Sequence, residues 1–450
     1  MRIFLLLLAG ALMHAARSFY PLPSVGSTAG GVALACGYLL LTAFLAGGLA
    51  KSVGLPKLTG YLASGVIVGP ELLDLVSHNM LESLSIFSGV ATALIALTAG
   101  LEMELRAIRS LLRPITWISL LAVAGTTVLL AAAVYLIRDL LPFTAGLGAA
   151  QVVAVALELA ITLVAQSPAV TVALRDEVEA DGPLSRTVIG VVVLGEFTVL
   201  AGFAVLSSVA IGLTGGSAGL GQLAARISWE LFGSLLIGAL LGALAGVYFH
   251  FFRGGQALFV VIFGLVIAEV GRRVHLDPLL IALATGIYIC NLTRHGHRLH
   301  EAIEYASLPI YVVFFSVAGA SMHLGALQVV GPPALLLVVV RAAGLWSGAR
   351  VAAKIAQAPE PVRRYAGFGL MPQAGLAIAL ALVFAETFPQ FGAEASALVL
   401  SVVAINELVA PPLYRIALLR SGEAGKKRTE GAETVAASIP GEAAAPAPGS

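Results

Sequence analysis

Leu159-Ala-Ile-Thr-Leu-Val-Ala-Gln-Ser-Pro-Ala169 decides how this chain folds. It sits in an apolar run from 146 to 175, and a helix of about 20 apolar residues is enough to cross the hydrocarbon of a bilayer. Within that run stand Gln166, Ser167 and Pro168. Proline removes a backbone donor and clashes with the preceding turn, so the helix is predicted to kink or unwind there. A second stretch repeats the pattern: Gly367-Phe-Gly-Leu-Met-Pro-Gln-Ala-Gly375 has Pro372 between glycines, with Gln373 next to it. Carbonyls freed by such breaks, and the ends of half-helices, are ligands for small ions.

Working outward, hydrophobic residues are 59% of the chain and charged residues 11%. A soluble surface normally has about 25% charged residues, so the solvent of this surface is lipid. About fourteen spanning segments are predicted, from 3–21 to 393–419, and alternating strand patterns are absent. The broken segments are the sixth and thirteenth, an odd number apart, so they run in opposite directions. Segments 2–7 and 9–14 then form two inverted six-helix units with a broken helix fifth in each, an arrangement that places a transport site where the breaks meet. The expected fold is an all-α polytopic membrane protein.

Lysine and arginine counts set the orientation. On the alternation above, twenty fall on one side and five on the other, so both termini are expected in the cytoplasm. Arg2 and the apolar run after it could open a signal peptide, but Met13-His14-Ala15-Ala16 is a poor cleavage site, and residues 1–22 are read as a retained hydrophobic helix. Residues 421–450, rich in Gly, Ala, Pro, Ser and Glu, read as a disordered tail. A net charge of +1 argues against a nucleic-acid partner. Cys36 and Cys290 lie in apolar runs and suggest neither a disulfide nor a metal site. No strand–GxGxxG–helix unit, catalytic triad or phosphate loop is present, so neither a nucleotide-sensing domain, nor an enzyme, nor a cofactor is expected.

Ionisable groups inside lipid are functional candidates because desolvating them is costly. They are Glu158, Glu196, Arg341 and Glu407. Glu196 stands mid-span in Val191-Val-Val-Leu-Gly-Glu-Phe-Thr-Val-Leu200 with no basic residue within a helical turn. A salt bridge to a distant helix is the structural alternative.

Several stretches resemble the monovalent cation–proton antiporter superfamily, on its sodium/proton and potassium/proton exchanger branch. They are Leu55-Pro-Lys-Leu-Thr-Gly-Tyr-Leu-Ala-Ser-Gly-Val-Ile-Val-Gly-Pro70, Thr98-Ala-Gly-Leu-Glu-Met-Glu-Leu105, Ala165-Gln-Ser-Pro-Ala169, Ala318-Gly-Ala-Ser-Met-His-Leu324 and Met371-Pro-Gln-Ala-Gly375. The resemblance covers about residues 30–420. It implies a homodimer in the cell membrane, with dimerisation halves at 30–107 and 256–325, core halves at 113–213 and 331–420, and a linker helix at 228–253. It also implies crossed broken helices and a core that slides past the scaffold. The chain departs from the family at two places. The usual acidic pair is Gly195-Glu196 here, and a lysine common in relatives is Leu345, although Arg341 is kept.

On this reading Glu196 carries either a proton or a monovalent cation, sodium or potassium. Gln166, Ser167 and backbone carbonyls complete an oxygen shell of the kind hard cations prefer. Arg341 is expected to pair with Glu407 or Glu158, either of which could instead act as a second acid. A single carboxylate predicts electroneutral exchange serving pH homeostasis. An organic-anion symporter on the same fold and a non-transporting sensor or channel are the alternatives. His295, His297 and His300 share one loop and read either as part of a basic cytoplasmic loop or as a pH sensor.

Overall fold

The computed structural model describes residues 1–19, 29–214, 221, 225, 228–252, 256–274, 276–322, 325–388 and 391–426. Among the described residues the regular structure is helical, without strands. Seven helices are long and apolar enough to cross a membrane; one bent pair joins them, together with six shorter apolar helices. Each segment predicted from the sequence overlaps one of these.

In chain order the helices are α1 (Arg2–Phe19), α2 (Ala29–Ser52), α3 (Lys57–Val68), α4 (His78–Ser83), α5 (Ser85–Leu101), α6 (Leu105–Ile108), α7 (Leu112–Leu136), α8 (Ala149–Val164), α9 (Pro168–Glu177) and α10 (Pro183–Thr214). They continue as α11 (Ser234–Phe251), α12 (Gln256–Val274), α13 (Pro278–Leu292), α14 (Gly296–Ala320), α15 (Gly325–Ile355), α16 (Glu360–Gly369), α17 (Gly375–Thr387) and α18 (Gly392–Arg420). Two packing groups emerge. In one, α2, α3, α5 and α11–α14 pack on each other, with α1 against α2. In the other, α7, α8, α10 and α15–α18 pack together, and α9 leans on both.

Both predicted interruptions are true breaks. Helix α8 stops at Val164, Ala165 and Ser167 are extended, and Pro168 occupies the first position of α9. Proline fits there because the first helical N–H has no intrahelical partner in any case. Ser167 caps α9, its Oγ accepting from Val170 N at 3.3 Å. The second break runs from Leu370 to Ala374, between α16 and α17.

At one end of the bundle the two groups are tied by polar contacts. Arg175 on α9, almost wholly buried, pairs with Glu102 just after α5. The Glu177 carboxylate accepts from Lys57 N at 2.6 Å and Leu58 N at 3.4 Å, capping α3. Arg415 on α18 donates to Gly54 O at 2.5 Å.

The expected disordered tail is corrected at its start. Glu423 is 1% exposed, and its two carboxylate oxygens accept from Leu184 N at 2.6 Å and Ser185 N at 2.8 Å. An acid at a helix N-terminus satisfies free amides and the helix dipole, which is why this short piece folds back onto α10. Residues 427–450, which hold the rest of that expected tail, lie outside the described residues.

Candidate functional site

The two breaks meet. Ser167 N donates to Pro372 O at 2.9 Å, joining one unwound segment to the other. Arg341, fully buried on α15, binds both: Nε donates to Leu163 O at 2.7 Å, Nη2 to Ala165 O at 2.8 Å, and Nη1 to Met371 O at 2.6 Å. Gln373 adds a fourth tie, its Nε2 donating to Leu163 O at 3.0 Å while its Oε1 accepts from Asn406 Nδ2 at 2.9 Å.

This corrects the expected ion pair. No carboxylate lies within 4 Å of the Arg341 guanidinium among the described residues. The physical reason is that α8 and α16 both end here. Their terminal carbonyls have no intrahelical donors and carry the negative ends of two helix dipoles. A planar guanidinium with a rigid fork of donors answers several such carbonyls at once, as an ammonium would not.

Glu196 lies on α10, 3% exposed, and its Oε2 has no hydrogen-bond partner. Next to it, Gly195 faces Gln166: a Cβ at 195 would stand 3.1 Å from the Gln166 Oε1. Gln166 is itself buried, with neither end of its amide hydrogen-bonded. The structure therefore brings Gln166 and the Gly195-Glu196 step together beside the break that holds Ser167 and Pro168. Buried oxygens without donors are expensive to leave alone, and here two belong to groups able to ligate a hard cation.

Glu158 is fully buried on α8 and neither carboxyl oxygen has a hydrogen-bond partner. It stands beside Ser207, well along α10 from Glu196. At 1.5 Å of rise per residue that is about 16 Å of helix, so Glu158 belongs to a separate locus. Glu407, buried on α18, follows Asn406 and forms no ion pair among the described residues.

A cavity of about 290 Å³ reaches Glu196 from the end of the bundle opposite the Arg175–Glu102 pair. Its walls include Thr92 of α5, Gly375 and Leu380 of α17, and two acids that sequence reasoning passed over, Glu230 and Asp277. The Asp277-Pro278 pair signals a helix start, which a reader of sequence can see; that this start faces Glu196 depends on packing. A cleft of about 330 Å³ at the other end, between α3 and α9, contains none of these site residues.

The three histidines do not share a loop, a correction to the sequence reading: His295 is the residue before α14, and His297 and His300 lie in its first turns. His297 approaches Glu301 at 3.3 Å, while His295 lies against the rings of Phe249 and His250. Burial, with Arg298 and then His250 nearby, moves the His295 pKa below its ordinary value.

The family model for the transmembrane region of sodium/hydrogen exchangers matches residues 40–418. The chain belongs to the sodium/hydrogen exchanger family. Solved structures agree on the fold of this exchanger. A structure of the sodium proton antiporter MjNhaP1 from Methanocaldococcus jannaschii at pH 8 matches with a TM-score of 0.59 and 16% identity, covering 91% of this chain and 100% of that one. An electron-microscopy map of the same antiporter gives a TM-score of 0.65 at 15% identity, covering 88% of this chain and 96% of that one. Comparison with curated proteins finds no match. The exchanger is a multi-pass membrane protein of the cation/proton antiport class, and its resemblance to the antiporter superfamily is borne out.

Proposed function

We propose that this exchanger swaps one proton for one sodium or potassium ion on Glu196, without net charge movement. The observation that carries the reading is the Glu196 carboxyl group: buried, with one oxygen unpartnered, on the wall of a cavity and next to the Gln166 break. A buried carboxylate must be neutralised by something. Either a proton or a cation does so, and the two exclude one another, so each ligand is exchanged for the other across the membrane. Crossing empty would carry a bare charge past an apolar barrier, which suppresses slippage.

The two packing groups support a division of labour. The group containing both breaks is proposed as the moving core, and the group of α2, α3, α5 and α12–α14 as the scaffold and dimer contact, with α11 linking the two halves. Fourteen crossings with both termini in the cytoplasm would put the Arg175–Glu102 end inside the cell and the Glu196 cavity outside. In this state the core is joined to the scaffold on the inner side and Glu196 is served from the outer side. Gln166 and Ser167 supply neutral oxygens, as do carbonyls of the break that Arg341 leaves free.

The test is sodium- or potassium-induced proton flux in proteoliposomes. Glu196→Gln keeps the shape and removes ionisation, so the variant should fold, dimerise and carry no exchange; Glu196→Asp should retain part of it. A Gln variant that exchanges at the wild-type rate removes Glu196 as carrier. Clamping the voltage with valinomycin and potassium, with sodium as transported ion, tests stoichiometry. One net charge per cycle would couple the rate to voltage by about 2.3 kcal/mol per 100 mV, and a flat response is expected.

A further inference from the structure

Asp277 has a role that helix capping does not account for. It precedes α13, and one carboxyl oxygen, Oδ1, accepts from Leu279 N at 2.8 Å. Its backbone N–H donates to Ser234 Oγ at 3.1 Å, which pins the residue in place. A carboxylate has about four lone-pair sites, and capping the amides of Leu279 and Leu280 leaves the others free. Asp277 and Glu196 both line the 290 Å³ cavity, together with Glu230. The first two are near enough for their charges to act on each other. Asp277, at the start of α13, and Glu196, on α10, also belong to different packing groups.

Acidic residues lining a cavity do not make a site. What points to a ligand here is Glu196 Oε2, buried at 3% exposure for the residue and without a donor, on a residue that lines the same cavity. An uncoordinated buried oxygen sharing a small cavity with a second carboxylate is an arrangement that a monovalent cation completes. We propose that Asp277 is a specificity-determining residue for cation loading: a monovalent cation entering this cavity is drawn in by Asp277 and passed to Glu196 before the two packing groups shift. The inference rests on Glu196 as carrier, and adds to it a ligand on the non-moving side. Because the acid is fixed to α13, its help is confined to the state in which α10 stands opposite, so it acts on one face of the membrane.

Right-side-out and inverted membrane vesicles holding the full chain test this, with sodium as the probe. Asp277→Asn and Asp277→Ser both keep a capping oxygen and remove the charge. Each should raise the sodium KM about tenfold on the cavity face, the scale of local cation enrichment by a fixed charge. The KM on the other face should stay as in the wild type, and the maximal rate of sodium exit through the cavity face should fall relative to that of entry, as equality of Vmax/KM in the two directions requires. Raising ionic strength with choline chloride should weaken sodium affinity more in the wild type than in the two variants, which keep Glu230 and Glu196 in the cavity. Asp277→Glu should restore the wild-type KM. An unchanged KM in both Asn and Ser variants reduces Asp277 to a helix cap and overturns the proposal, as does an equal rise on both faces. Wild-type vesicles without proton flux driven by either sodium or potassium, or a Glu196→Gln variant that still exchanges, would instead remove the carrier reading.

Discussion

Gln166 fills the room that Gly195 leaves: a methyl group at 195 would stand 3.1 Å from the Gln166 Oε1. Gly195→Ala should therefore shift the end of Gln166 by a few tenths of an ångström, keep stability within about 1 kcal/mol of the wild type, since Ala gains over Gly in a helix by about 0.5–1 kcal/mol, and weaken cation affinity several-fold. Adding Gln166→Ala should not restore the affinity. Melting curves and sodium titrations of the single and double variants measure the coupling.

Arg341 should behave as a structural residue. It holds three buried carbonyls, and removing such a group costs roughly 3–5 kcal/mol when a buried polar network is broken. Arg341→Ala should fall in that range, and Arg341→Lys should recover part of it, since one ammonium cannot reach along both breaks. Double-mutant cycles of Arg341 with Glu158 or Glu407 should show coupling below about 0.5 kcal/mol, as for residues that share no contact. A large coupling with either acid would restore the ion pair.

Glu423 caps the helix that carries Glu196. Glu423→Ala should lower stability by about 1–2 kcal/mol, the range for losing a strong helix cap. A chain ending at Gly422 should lose more, because it also gives up the bonds from Asp181 N to Glu423 O at 3.1 Å and from Gly425 N to Val178 O at 3.0 Å. Gly182→Ala should resemble the truncation, because a Cβ at 182 would stand 2.5 Å from the Glu423 carboxyl carbon.

His295 should not set the activity profile near neutrality. Its pKa is lowered by burial, Arg298 and His250, and an unperturbed imidazole titrates near about 6.5. Above that pH His295 is neutral in both folded and unfolded chains and contributes no slope. As the pH falls below it, the unfolded chain takes up the proton first and stability declines until the folded value is passed. His295→Gln should leave exchange between pH 7 and 8.5 unchanged and flatten the acid-side fall in melting temperature.

Much of this was legible before any coordinates. Prolines at 168 and 372 announce breaks because backbone geometry at proline is nearly fixed, and Glu196 announces itself as a charge in lipid. The partners of Arg341 were hidden because its acceptors are carbonyls, which every residue has and no letter of the sequence marks. Asp277 escaped notice for another reason. At a segment end it reads as a solvated cap, and only packing brings α13 to the cavity that Glu196 lines. Glu423 was masked by its neighbours: a composition-based reading of Gly, Ala and Pro averages over a single buried acid.

The contacts at the Arg175–Glu102 end have a kinetic corollary. For the two groups of helices to slide apart there, as proposed, the Glu177 carboxylate would have to release the amides of α3, and Arg415 would have to release Gly54. If each link is worth about 1 kcal/mol, the usual net value of a hydrogen bond, the resting molecule leans toward one orientation by a substantial factor. Such a lean leaves the final ion gradient untouched, since that is fixed by the ions alone. It alters the concentrations at which inward and outward flux saturate, so the exchanger would run as a rectifier under load while remaining a reversible machine at equilibrium.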